Sequence, residues 1–456
     1  MIRKILLTLC AGQILIPAKA QTLSPAITCW LQNTVTLGSY YTSGNTNTIT
    51  NNILVNCQKV EYSSSYVYVS TKGIPAYPTG PFLDGNPSQA SNQNAIFKIP
   101  LTPTPNTTGT LTSTTGGDIG VFINGVALFD YRDGVSWNNA GSKLCGGPIQ
   151  PPCMGDGVWN RDAIPAEKSG FDCSKGHPAM GNYHHHQNPS AFKLDATVIS
   201  TVCSLYDANG LYVMNASQHS PLLGYAYDGY PIYGAFAYKN TDGTGGITRM
   251  KSGYQLRSIT TRTVYASGAT VTPGPAVGTT YPLGYFREDY QYIAQPGQPD
   301  YLDDHNGRFC VTPEYPNGTY AYFCTVDVNL NSAYPYVVGP YFYGVYGNRE
   351  VTSVTETTTV YSQAVTGISP SEFKNLDINI FPNPAQEMLV IQVGDIVRTS
   401  LTLDLLDMNG KRIARTYINK GSTIASFDVQ TVYEGIYTVK ISSENFSTIK
   451  KIVVIR

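Results

Sequence analysis

All six histidines of this chain lie between positions 177 and 305, and four fall in the run His177-Pro-Ala-Met-Gly-Asn-Tyr-His184-His185-His186. In an extended segment alternate side chains share a face. His184 and His186 would then project together, with Tyr183 and His185 on the other side. Two imidazoles so placed can chelate one ion. The 178–182 loop can return His177 to them, because Gly181 permits a tight reversal. Three imidazole nitrogens suit zinc or copper, and a tetrahedral fourth ligand would favour zinc. Candidates for that fourth position are Asp303, Asp304 and His305, in the polar segment Leu302-Asp-Asp-His-Asn-Gly-Arg308, and Asp228. A water on the metal would be activated for hydrolysis, whereas copper on the same ligands would suit redox work or metal sequestration.

Asp228 could equally orient an imidazole through a hydrogen bond. Tyr230, Arg308 and Glu314 are candidates for supporting the ligands or touching substrate. Glu314 could serve as a base or simply hold a loop, and Arg308 is expected to pair with Asp303 or Glu314. Two readings compete with a metal. The cluster could do acid–base or substrate-binding work, or its imidazoles could be buried partners for the backbone of long loops. His219 is expected on a surface loop. The chain has no Gly-x-Ser-x-Gly elbow, no His-Glu-x-x-His and no phosphate-binding glycine loop. No catalytic residue can be named, and whether the protein is an enzyme stays open.

The elements that must position these residues read as strands and irregular chain. Tyr66-Val-Tyr-Val69, Ala95-Ile-Phe-Lys-Ile99 and Gly318-Thr-Tyr-Ala-Tyr-Phe-Cys324 carry strand signals. Residues 120–129 read as a hairpin whose Asn124-Gly125 turn demands positive φ. Residues 130–178 read as a long irregular region, and no helix of three turns is evident. The predicted fold is all-β with long irregular loops. A large β-rich body spans 21–350, a Thr/Ser-rich linker 351–375, and a small β-sandwich 376–456.

Arg3 and Lys4, an apolar run over 5–16 and Ala18-Lys19-Ala20 read as a signal peptide over 1–20. No other segment reads as membrane-spanning. Without Cys10 of that leader, the 9 cysteines become an even set, which suits disulfides in an oxidising compartment. Neighbour pairing would join Cys29–Cys57, Cys145–Cys153, Cys173–Cys203 and Cys310–Cys324. Charged residues are only 13% of the chain, against 34 tyrosines, and loss of Arg3, Lys4 and Lys19 takes the formal charge from -1 to -4. No basic stripe is present, so nucleic acid is not an expected partner.

Other motifs accompany the histidine run in order: Gly73-Ile-Pro75, Gly120-Val-Phe-Ile-Asn-Gly125, Asp228-Gly-Tyr-Pro-Ile-Tyr-Gly234, the 302–308 segment and Thr312-Pro-Glu-Tyr-Pro-Asn-Gly-Thr-Tyr-Ala-Tyr-Phe323. Together they resemble the YHYH-domain family over most of 60–345. His184 and His186 match its two histidines, and His185 stands where the family has its second tyrosine. His185 is therefore a poor candidate for a role shared with the family. The resemblance implies no settled activity. At the other end, Asn379-Ile-Phe-Pro-Asn-Pro-Ala385, Leu405-Leu-Asp-Met-Asn-Gly-Lys411 and Gly435-Ile-Tyr-Thr-Val-Lys440 resemble the C-terminal sorting domain of the type IX secretion system of Bacteroidetes. That resemblance implies export via the periplasm by the type IX machinery, to the medium or the outer-membrane surface. The leading functional expectation is a secreted or cell-surface protein that binds zinc or copper. The alternative is a non-enzymatic adhesin or glycan-binding protein facing surface polysaccharide, which the low charge and abundant tyrosine favour.

Overall fold

The computed structural model describes residues 23–44, 47–82, 89–114, 116–147, 153–195, 210–347, 350–362, 378–393, 397, 400–407, 410–419, 422–443 and 446–456. The leader expected over 1–20 lies outside them. No helix among the described residues is long and apolar enough to cross a membrane. The chain forms two compact units, Met1–Ser362 and Gln363–Arg456.

The first unit is built on an eight-stranded mixed sheet. Its spatial order is His177–Ala179, Asn182–His185, Ala127–Phe129, Asp118–Phe122, Leu222–Ala226, Pro231–Tyr233, Thr319–Phe323 and Gly307–Cys310. Its central strands are buried on both faces, as a sheet covered on both sides requires. Val121, Ala127, Tyr225, Tyr233 and Phe323 face one core together with Val60, Val67, Val69, Phe97 and Ile99. The last five come from a four-stranded sheet of Cys57–Tyr62, Tyr66–Thr71, Ala95–Pro100 and Thr359–Tyr361. Phe122, Leu128, Ile232 and Tyr322 face a second core, closed by Tyr131, Phe171, Phe192 and Tyr334 to Val338.

The 120–129 hairpin forms as expected. Phe122 accepts from Gly125 N–H at 2.8 Å, and Phe122 N–H donates to Val126 at 2.9 Å. Gly125 takes φ +76°, so the connection is a tight turn followed by a left-handed residue. Region 130–178 departs from expectation. It contains the strands Arg132–Asn138, Lys143–Gly146 and Asn160–Asp162, paired in one small sheet, and the helix Ala163–Glu167. Polar residues and glycines interrupt these short strands, so their alternation is too brief to read from sequence. The segment read as a linker also contributes Thr359–Tyr361, which pairs with Cys57–Tyr62.

One expected disulfide forms, Cys145–Cys153. Cys29, Cys57, Cys310 and Cys324 carry free thiols, which corrects two of the pairings. On adjacent antiparallel strands Cys310 stands opposite Thr319, five residues along from Cys324. At ~3.4 Å per residue the two are about 17 Å apart, far beyond disulfide reach. They also belong to the two opposite cores. Cys57 directs its sulfur at the Ile123 carbonyl, 3.4 Å away, while Cys29 caps the short helix Pro25–Thr28. Burial pushes both thiols up, Cys29 further beside Cys57. Cys173 is buried, and Cys203 lies outside the described residues.

The second unit packs three strands, Ile378–Phe381, Met388–Val393 and Ile424–Asp428, and four, Arg412–Ile418, Leu401–Leu406, Gly435–Ser443 and Phe446–Val454, around one core. It is a small β-sandwich. Alternating Leu401, Leu403, Leu405 and Tyr437, Val439, Ile441 supply its inner faces.

Candidate functional site

The histidine run folds back on itself. His177–Ala179 pairs antiparallel with Asn182–His185, placing His177 opposite His184. Met180 and Gly181 make the reversal at φ +51° and +87°. Parallel pairing with Ala127–Phe129 sets His184 beside Ala127 and His185 beside Leu128. Strand alternation then sorts the side chains. His184 and His186 turn to one face, and Tyr183 and His185 to the other.

On the first face three Nε2 atoms converge. His184 Nε2 lies 3.0 Å from His186 Nε2, which is 3.4 Å from His177 Nε2. One ligand atom from each of these residues falls within 4.8 Å of the others. The ring orientations are set from behind. His184 Nδ1 is 2.8 Å from the Asn182 carbonyl, and His186 Nδ1 is 2.6 Å from that of Asp130. A carbonyl can only accept, so each Nδ1 carries a proton, and in the neutral rings the Nε2 lone pairs point inward. Phe129 stacks on the His184 ring at 3.8 Å, and Phe171 meets His177 edge-on at 4.8 Å. Burial, then the neighbouring His186 and His177, holds His184 well below the usual imidazole range.

A carboxylate completes the cluster. Glu167 Oε2 lies 3.2 Å from His177 Nε2 and 3.4 Å from His186 Nε2. Burial alone would raise this carboxyl, but hydrogen bonding and charge from the two imidazoles hold it well below the usual carboxylate range. Glu167 ends the helix Ala163–Glu167, which Asp162 caps by accepting from Ile164 N–H at 2.9 Å. Sequence reasoning missed this residue. The available signal was Asp162 followed by Pro165 in a first turn, inside a region read as irregular.

The other candidates are held elsewhere. Asp303 and His305 precede the Gly307–Cys310 strand, at the opposite edge of the sheet from His177. Asp303 accepts from Tyr320 Oη at 2.8 Å, and His305 Nδ1 lies 3.1 Å from the Tyr341 carbonyl. Asp304 is 3.7 Å from His305. Asp228 is buried and accepts from Tyr322 Oη at 2.6 Å and Gly344 N–H at 2.8 Å, pinning a turn. Tyr230 packs between Tyr320 and Tyr343. Glu314 accepts from Tyr233 Oη at 2.8 Å. Arg308 does not form the expected carboxylate pair. Its guanidinium donates to the carbonyls of Tyr238, Lys239 and Pro299, tying the end of the Phe236–Tyr238 strand to the loop at Pro299. His219 lies on an exposed loop as expected, with its ring half-buried against Tyr233 and Tyr238.

On the second face His185 is fully buried. Its Nε2 lies 2.7 Å from Tyr77 Oη and its Nδ1 3.1 Å from the Lys175 carbonyl. Burial lowers it to about 3. It is a packing residue between Tyr77, Phe122 and Tyr183.

Comparison with protein families gives the same two parts. Residues 96–335 match the YHYH protein family, and residues 379–455 match the secretion system C-terminal sorting domain. The chain belongs to the YHYH family and carries a type IX sorting domain. That domain sends the protein out of the cell, to the surface or the medium, through the type IX machinery. No curated protein matches the chain.

Proposed function

We propose that the exported YHYH body is a metal-binding domain. His177, His184 and His186 would hold one zinc or copper ion, with Glu167 as the fourth donor. The observation that carries this reading is the convergence of three buried Nε2 atoms with the Glu167 carboxylate. Inward lone pairs at about 3 Å repel unless a proton or cation lies between them. One shared proton relieves one pair. Three nitrogens and an oxygen around one point match the donor set of a four-coordinate site. With Glu167 in place that site is closed, which favours zinc in a structural role over an open hydrolytic centre. A bound ion would tie the 177–186 hairpin to the Ala163–Glu167 helix.

The test is elemental analysis of untagged protein purified without chelators. About one zinc or copper per chain, lost in the His184→Ala/His186→Ala double variant and kept in His185→Tyr, is the expected result. Wild-type protein that takes up neither ion, or a double variant that retains it, overturns the assignment. A polysaccharide-binding surface is a separate proposal, independent of the histidines.

A further inference from the structure

Several arginines of the body have their terminal nitrogens held by protein acceptors. Arg262 donates to Asp289 and to the carbonyls of Pro275, Tyr281 and Pro282. Arg132 grips Asp130 with two nitrogens, and Arg257 donates to the Glu288 and Val264 carbonyls. Arg287 differs. Its Nε lies 3.2 Å from Glu288, but among the described residues nothing accepts from its two terminal nitrogens. Glu288 is itself engaged, both of its oxygens accepting from Asn160 at 2.8 Å. The Arg287 side chain is 16% exposed, so these two donors are open to water or to a ligand.

Arg287 borders a cavity of about 520 Å³ lined also by Tyr254, Tyr265, Tyr290, Tyr292 and Tyr334. A second cavity of about 450 Å³ shares Tyr254, Tyr290 and Tyr334 and adds Arg249 and Lys251. The two hollows therefore adjoin along one aromatic wall. That wall is closely packed: Tyr290 and Tyr334 stack at 4.0 Å, and Tyr254 meets Tyr334 edge-on at 5.4 Å. A preformed wall costs little ordering entropy on binding. None of these residues belongs to the histidine cluster.

We propose that these adjoining cavities bind an acidic oligosaccharide, with Arg287 gripping a sugar carboxylate and the tyrosines covering the rings. A guanidinium fork matches a carboxylate in bidentate fashion. Tyrosine offers an apolar face to a pyranose and a hydroxyl to its rim. Glu288 and Asp304 line the same cavity and would repel a doubly charged phosphate more than a singly charged carboxylate. The paired hollows suit a chain of sugars better than a single acid.

The test is calorimetric titration of the mature full chain with tetragalacturonate, maltotetraose and tetraglutamate. Binding of tetragalacturonate alone, weakened by salt, is expected. Arg287→Gln should weaken it about tenfold or more, as loss of a charge-assisted pair requires. Arg287→Lys, which keeps the charge and loses the fork, should fall between. Thermal transitions matching wild type establish that the variants fold, and Arg287→Lys carries the test if Arg287→Gln does not. Absence of tetragalacturonate binding up to about 1 mM, or equal binding by the folded variant, overturns the proposal. Equal binding of tetraglutamate overturns the saccharide assignment in favour of an acidic peptide.

Discussion

Glu167→Gln isolates the one donor that the histidine run does not contain. The substitution keeps size, shape and an oxygen donor, and it sits on the last residue of a helix whose cap at Asp162 is untouched. The structure puts the carboxylate 3.2 Å and 3.4 Å from two Nε2 atoms. Its charge therefore acts on whatever those nitrogens bind. Loss of one charged donor costs about 3 kcal/mol, or roughly a hundredfold in Kd. With free zinc at 100 times the wild-type Kd, binding stabilises wild type by about 2.7 kcal/mol and the variant by about 0.4 kcal/mol. The body runs to Ser362, so its unfolding entropy is about 0.7 kcal/mol/K. Zinc should then raise the body's Tm by about 4 °C in wild type and by less than about 1 °C in the variant. Scanning calorimetry with and without zinc, beside a competitive chelator titration, reads both quantities. Equal zinc affinity and an equal Tm shift in the two proteins would refute the role given to Glu167. A wild type that takes up neither zinc nor copper would refute the site.

Three further outcomes are expected. His185 is lowered to about 3 by burial, so below about pH 6.5 the unfolded chain binds a proton there that the folded chain does not. Its stabilising contribution is present above that pH and is lost as pH falls toward 3. In chelator, His185→Tyr should remove about 3–5 kcal/mol of acid sensitivity from urea unfolding between pH 7 and 4, and an unchanged acid limb would count against it. Replacing both Cys145 and Cys153, whose bond closes a sequence separation of 8, should cost about 2.5 kcal/mol by loop entropy; an unaltered denaturation midpoint would contradict this. Gly125→Ala places a Cβ 2.3 Å from Thr71 Oγ1 at φ +76° and should cost about 2–4 kcal/mol, read by the same unfolding assay.

Much of the local structure was legible in the sequence. Two-residue alternation in Tyr66–Thr71, Ala95–Pro100 and Thr319–Phe323 marked strands that the structure contains. The same period in 183–186 sorted His184 and His186 from His185, and Gly181 marked the reversal that returns His177. The two ordered motif sets identified the family and the export signal. Cysteine spacing was a poorer guide. Proximity along the chain suggested Cys310–Cys324, but ladder register separates them by five residues and sends them into different cores.

Sequence alone determined what local rules control: strand alternation, turn chemistry and the family-wide motif order. Strand order, by contrast, is decided by long-range pairing, which leaves no local trace. The sheet puts Asp303 and His305 at the edge away from His177, although all three are plausible ligands by type. Only the packing of a short capped helix against the hairpin brings Glu167 to the imidazoles, which lie ten and nineteen positions further along the chain. The unsaturated guanidinium of Arg287 is equally invisible in one dimension. Among the described residues its terminal nitrogens meet no acceptor, while the neighbouring Glu288 is gripped by Asn160 from a strand far away in sequence, an arrangement that exists only once the chain has folded.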